Sequence, residues 1–243
     1  MNKEVVPLFP SPVIMVDVEE DTSELLLHNE FKDKFGYSVE RTYAISHQTK
    51  VQNEVAPKDQ ESVINTASTS YSDQRILEKY PKTKQILLDT FTSVAEEDIK
   101  YAERKYAITT SWITLSHKGQ GSQLHRHKNS FWSGVYYFQE EYPEGTGGIM
   151  FDNPNADRYD FSYGMSDIER QNEINSMSCI FGPSPKLLLL FPSYLRHQIM
   201  VHNNDKPRSS LAFNIVPLGH WGEHDSSYDQ AWVAPTLGAW KGL

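Results

Sequence analysis

From Tyr106 onward the chain is a procession of short runs rich in β-branched and aromatic residues: YAITTSWITLSHKG, SFWSGVYYFQ, GGIMFDN, KLLLLFPSYL, HQIMVH and SSLAFNIV. Gly, Pro, Asn and Asp divide them. Runs this short and this punctuated read as strands. A series of them over about a hundred residues predicts a mainly β sandwich or jelly roll. No internal repeat is visible.

The rest of the chain is arranged around that series. LFPSPVIMVDV at residues 8–18 reads as an extended segment, broken by Pro10 and Pro12, that suits a sheet edge. In DTSELLLHNEFKDKF, Asp21, Thr22 or Ser23 can cap a helix that carries Leu25, Leu26, Phe31 and Phe35 and stops near Gly36. Residues 37–72 are polar and lack either period, so loop with short turns is predicted. From Asp73 to Arg104 the pattern is helical, and Pro81 either separates two helices or starts the second. These helices should buttress one outer face of a sheet, and His28 is read as a surface or packing residue. Asn153 to Pro185 reads as an insertion between strands, of the kind that forms a lid or substrate wall. Gly147, Gly148 and Pro154 read as turns flanking a strand. The stretch from Leu218, with Trp221, Trp232 and Trp240, reads as a tail docked on the body or on a twin subunit. The expected organisation is one domain, 1–243: N-terminal strand and helices 1–106, β core 107–217 with the insertion 153–185, and tail 218–243.

Composition narrows the function classes. With 38% hydrophobic and 23% charged residues the chain is built like an ordinary globular domain. A net charge of −9, from 32 acidic and 23 basic residues, argues against a broad grip on a phosphate backbone. Lys118, Arg126 and Lys128 form a mild local exception, read as a solvated rim that keeps an anionic substrate open. The single cysteine, Cys179, excludes an internal disulfide and points to a reducing compartment. No signal architecture opens the chain and no apolar run is long enough to span a bilayer, so a cytoplasmic setting is expected.

Chemistry concentrates in QLHRHKNSFWSGVYYF, residues 123–138. His125 and His127 stand two apart, and on a strand residues two apart share a face, so both imidazoles can converge on one metal ion. The third ligand is sought in LLLLFPSYLRHQIMV, at His197, and Arg208 follows eleven positions later at the head of RSSLAFNIV. A structural metal site has no need of such an arginine. His117, His202, His220 and His224 lack matching partners and are read as surface residues. Asp152, tempting as a carboxylate ligand, sits at a strand end and is set aside.

These motifs in this order, together with LFPSPV near the start, resemble a family of phage and marine-bacterial proteins assigned to the 2-oxoglutarate and Fe(II)-dependent oxygenases. The resemblance covers roughly residues 107–217 and the N-terminal strand. It implies a double-stranded β-helix, or jelly roll, with N-terminal buttressing helices. It makes His125 and His197 iron ligands, and places His127 where most such oxygenases carry a carboxylate, the HxH form being this family's own. Arg208 falls where the family's arginine pairs with the distal carboxylate of 2-oxoglutarate, Ser210 completes an R-x-S pattern, and Tyr137 matches a tyrosine that bonds the same carboxylate. Asn214 is placed with this cofactor-binding group, as a pocket-facing residue on the Arg208 strand. Implied cofactors are Fe(II), 2-oxoglutarate as co-substrate, and ascorbate. The implied reaction is hydroxylation of a substrate C–H bond, with a protein side chain such as proline as the expected substrate, a small molecule as the other, and Trp132, Tyr136 and the insertion as groove walls. The setting would be a bacterial cytoplasm, including that of an infected host.

Two other readings stay open. A three-histidine iron dioxygenase without 2-oxoglutarate would use Arg208 for the carboxylate of a substrate bound directly to iron. A non-catalytic jelly-roll binding module would hold a structural metal or none. Fold-level likeness gives reaction type better than substrate.

Overall fold

The structure, a computed structural model, describes residues 10–26, 68–69, 74–155, 172 and 175–229. Eleven strands are found among them: β1 (Ile14–Asp17), β2 (Ser68–Thr69), β3 (Tyr106–Ser116), β4 (Trp132–Tyr136), β5 (Ile149–Asp152), β6 (Ser178–Phe181), β7 (Leu187–Pro192), β8 (His197–Ile199), β9 (Arg208–Pro217), β10 (His220–Trp221) and β11 (Tyr228–Asp229). All the paired strands run antiparallel. Six of them form one sheet in the order β1-β7-β4-β9-β3-β2, three form a second in the order β6-β5-β8, and β10 pairs with β11. β1 is an edge strand that pairs with β7 alone, and Pro10 and Pro12 lie just before it, where neither interrupts the ladder.

Alternation along the strands assigns each residue to a layer. On one face of the large sheet, Tyr136, Leu188, Leu190, Leu211, Phe213 and Ile215 pack against the helical layer. That layer is a 3-10 turn at Ile76–Lys79, the helix α1 (Pro81–Ser93) and a π-helical turn at Val94–Asp98. Pro81 occupies the first turn of α1, where its missing N–H costs nothing. Phe91 is fully buried here, edge-on to Tyr106 at 4.9 Å between ring centroids. The helix start is held from a distance: Glu24 Oε1 accepts from the Thr83 N–H at 2.6 Å, satisfying one of the four orphan donors of the first turn. On the other face Val135, Tyr137, Leu187, Leu189 and Phe191 meet Ile149 and Phe151 of the small sheet. The candidate site lies in this second layer.

Several expectations change. The N-terminal helix is described only through Leu26, as a 3-10 turn at Ser23–Leu25, and the remainder, with His28, lies outside the described residues. Thr22 caps nothing; its hydroxyl is 2.7 Å from the buried Tyr136 hydroxyl. That contact also turns Tyr136 toward the helical layer, so it lines no substrate groove. The expected loop 37–72 contains β2, and the rest of it is outside the described residues. The stretch 153–185, expected to be an insertion, contains β6, which pairs with β5 from Asp152↔Ser178 to Ile149↔Phe181. Gly148 is a close-approach residue as well as a turn residue, since a Cβ there would stand 2.4 Å from the Phe181 carbonyl oxygen of β6. In the tail, β10 and β11 make a short ladder, whereas Trp232 and Trp240 lie outside the described residues. No helix among the described residues is long and apolar enough to cross a membrane.

Candidate metal centre

His125 and His197 are held opposite one another by backbone. His125 N–H donates to the His197 carbonyl at 2.9 Å and His197 N–H to the His125 carbonyl at 2.8 Å, an isolated antiparallel bridge. His127 is tied by its N–H to the Ser193 carbonyl at 3.0 Å. The HxH pair therefore sits on an extended segment that bridges both sheets, not inside a regular strand as its spacing alone would place it. Its alternation still holds, and the nitrogens that His125, His127 and His197 would offer a metal all lie within 4.8 Å of one another.

The three rings are also fixed in tautomer. His125 Nδ1 meets the Gln123 carbonyl at 2.7 Å and His197 Nδ1 the Leu195 carbonyl at 2.9 Å. A carbonyl only accepts, so in the neutral rings the proton sits on Nδ1 and the lone pair on Nε2. His127 reaches the same state through a side chain. Its Nδ1 is 2.6 Å from Asn214 Oδ1, while Asn214 Nδ2 donates to Thr110 Oγ1 at 2.8 Å. Ser133 joins this network, 3.0 Å from His127 Nδ1 and 2.8 Å from Ser193 Oγ. Outer partners of this kind orient metal-ligating imidazoles. His197 is 4% exposed, and burial first, then the neighbouring His125, pushes its imidazole down to about 3, so it is neutral at ordinary pH. Three neutral imidazoles with Nε2 lone pairs converging within one coordination sphere suit Fe(II) or another first-row divalent ion. Asp152 is excluded from this group: it pairs with Arg196 at 3.2 Å, on the strand face opposite Phe151.

Arg208, at the head of β9, is 1% exposed. Its Nη2 donates to the Tyr137 hydroxyl at 3.4 Å, but Nε and Nη1 are buried without a hydrogen-bond partner. A buried guanidinium with two unsatisfied donors is costly unless an anion completes it. Its fork matches a carboxylate. The surroundings add hydroxyls. Ser116 is opposite Arg208 in the β3–β9 register, and its fully buried Oγ also lacks a partner. Ser210 lies on the Arg208 face, opposite Thr114. Tyr137 is fully buried, and burial drives its phenol upward despite the nearby Arg208 cation, so it is a neutral donor. Tyr142 stacks edge-on to Tyr137 at 5.5 Å and is itself tied to Gln139 and Ser209 backbone. These residues fit one carboxylate of a small diacid.

The structure brings His125, His127 and His197 into one group and Arg208, Tyr137 and Ser210 into another on the same sheet face. Asn214, expected beside the co-substrate, spends both ends of its amide on His127 and Thr110. Of the histidines read as surface residues, His202 is a correction: it is fully buried, with Nε2 donating to the Lys206 carbonyl at 2.7 Å. Lys118 is paired with Asp205 at 2.9 Å. Missed from sequence were Ser116, Ser133 and Ser193. Their only signal was the alternation that also carries Thr114 and Arg208, and alternation does not give register.

Residues 110–214 match the family described as "Putative 2OG-Fe(II) oxygenase". A search of curated proteins finds no match. Among solved structures, HygX from Streptomyces hygroscopicus, determined with nickel, 2-oxoglutarate and hygromycin B bound, aligns at 9% identity over 88% of this chain and 87% of its own, with a TM-score of 0.52. The non-haem α-ketoglutarate-dependent carbocyclase SnoK from nogalamycin biosynthesis aligns at 8% identity over 84% and 79%, with a TM-score of 0.50. An oxidoreductase of the 2OG-Fe(II) oxygenase family from Burkholderia pseudomallei aligns over 52% of this chain and only 55% of its own, at 12% identity and a TM-score of 0.35. The matched segment holds all three histidines and Arg208.

Proposed function

We propose that this protein is a non-haem Fe(II) and 2-oxoglutarate-dependent oxygenase that hydroxylates a substrate C–H bond, built on a double-stranded β-helix spanning one domain. The observation that carries the reading is the buried Arg208 with two unpartnered donors, on the same sheet face as the three convergent histidines. His125, His127 and His197 would hold iron through Nε2, and Arg208, Tyr137, Ser210 and Ser116 would hold the distal carboxylate of 2-oxoglutarate. Bound together, iron and 2-oxoglutarate supply oxidising power from dioxygen, with release of succinate and carbon dioxide. The chain's own contribution is positional. Asn214 keeps the His127 proton on Nδ1. The apolar wall of Leu189, Phe191 and Phe151 excludes water, which strengthens each charge contact inside it.

With three neutral ligands no protein carboxylate offsets the metal charge. The incoming diacid does so, and metal and co-substrate should each strengthen the other's binding. A protein side chain, such as a prolyl ring, is the substrate we favour. The exposed, solitary thiol of Cys179 fits a reducing, cytoplasmic setting.

The test is an anaerobic titration of metal-free protein with Fe(II) and then 2-oxoglutarate, followed by the visible charge-transfer band of the chelated keto acid, with Arg208→Lys and Arg208→Ala alongside. A band that needs about tenfold or more 2-oxoglutarate in the variants, at unchanged iron affinity, supports the assignment. Iron binding without any band favours the three-histidine dioxygenase that needs no 2-oxoglutarate, for which the all-histidine ligand set is the supporting observation. No iron binding leaves a binding module.

A further inference from the structure

We propose that the groove beside His127 takes an acidic peptide, in which the reacting residue is flanked by a carboxylate side chain; this rests on the oxygenase reading above and adds the charge of the substrate to it. A cavity of about 600 Å³ is lined by His127, one of the three clustered histidines. Trp132, 1% exposed, also lines it. Its rim is aromatic. Phe131 and Tyr101 are 39% and 36% exposed and stack at 5.5 Å, and Tyr194, 52% exposed, is steadied by Ser11 Oγ at 3.1 Å from its hydroxyl. Large aromatic side chains left this open, gathered around one groove, mark a binding surface. Small-molecule sites enclose most of their ligand. A trough whose rim aromatics are a third to a half exposed covers one side of its occupant, as suits a chain passing across it with one side chain inserted.

The charge of the groove is one-sided. Arg126 and Lys128 bracket His127 in sequence, both are exposed and both line the cavity, and no carboxylate among the described residues does. Elsewhere among the described residues several cations are matched: Lys82 with Asp21, Lys84 with Glu78, Lys118 with Asp205, Arg196 with Asp152, Lys206 with Glu141. Among the described residues no such ion pair involves Arg126 or Lys128. In a chain of net charge −9, two cations beside His127 that no carboxylate among the described residues pairs with set up a local field for an anion. A side chain inserted toward His127 leaves its neighbours in the peptide at the rim, where those cations stand.

The experiment uses two fluorescein-labelled proline-centred peptides of equal length, one with Glu and one with Lys on both sides of the proline. Fluorescence anisotropy reads binding to the full chain at low and physiological salt. The Glu peptide is expected to bind roughly tenfold more tightly, with the advantage shrinking as salt rises. In the double variant Arg126→Glu/Lys128→Glu the order of the two peptides should invert, while thermal unfolding stays within a degree or two because both side chains are exposed. Equal affinities, or a Glu preference that survives the double variant, would overturn the proposal. So would phenylacetate or a short single-stranded oligonucleotide binding at this groove, with its binding lost in the double variant, while both peptides fail to bind. Binding needs neither iron nor turnover. A missing charge-transfer band would therefore sink the oxygenase reading without deciding this one.

Discussion

Asn214 shows how much a single side chain decides at this site. Its Oδ1 holds the proton of His127 on Nδ1, and its Nδ2 is anchored on Thr110, so the neutral ring keeps its lone pair on Nε2. Asn214→Leu, which removes both bonds, is expected to weaken Fe(II) or Co(II) binding by about 10–100-fold with the fold intact. Co(II) absorption titration and circular dichroism check the two halves of that statement. Ser116 makes a second case at the same scale. Its buried hydroxyl lacks a protein partner beside Arg208, so the cofactor-free fold gains nothing from it, whereas on the proposed reading the co-substrate should. Ser116→Ala should leave thermal stability of the cofactor-free protein unchanged or slightly raised, yet cost roughly tenfold in 2-oxoglutarate affinity. A lower melting temperature with full co-substrate affinity would assign Ser116 to packing instead.

At the scale of elements, the large sheet is the part on which everything else is mounted. Its two faces are divided by alternation: β4 sends Trp132 and Tyr136 to the helices, and Ser133 and Val135 to the site. Phe91 of α1 locks the helical layer to that sheet through Tyr106 and Trp132. Phe91→Ala should cost about 3–5 kcal/mol, measured by urea unfolding, because a fully buried ring leaves a cavity the surrounding strands cannot close. Gly134 is the complementary constraint. A Cβ there would stand 2.3 Å from the Phe213 ring, so Gly134→Ala forces the ring or β4 to move and should cost about 1–3 kcal/mol. The helix start, the edge strand β1 and the six strands from β3 to β9 other than β6 were legible as sequence, since each carries its own punctuation or period. β6 was not. Ser178–Phe181 is four residues long and mostly exposed, and it is a strand because β5 presents a ladder to it.

For the molecule as a whole, the histidine cluster ties stability to pH when no metal is bound. Folded His197 titrates near 3 against an ordinary value of 6.5, so between these values the unfolded chain binds a proton that the folded chain refuses. Its contribution is therefore complete above about pH 6.5 and is lost as the pH falls toward 3, by at most about 1.4 kcal/mol per pH unit. Denaturant unfolding of chelator-treated protein from pH 7 to pH 4 should show that decline, reduced in His197→Gln; a profile flat over this range would contradict it. By itself the sequence determined the strand-rich character of residues 106–217, the identity of the histidines and arginine that the site gathers, and their order, because hydrophobic period and turn residues are local properties. Only tertiary structure decided what each of them faces. Whether His127 meets Asn214, whether Ser116 stands beside Arg208, and that His202 is buried while Arg126 and Lys128 line an open groove all depend on strand register and on which sheet face meets another layer. Register is a pairing between segments distant in sequence, and a shift of one residue would turn every one of these side chains to the opposite face.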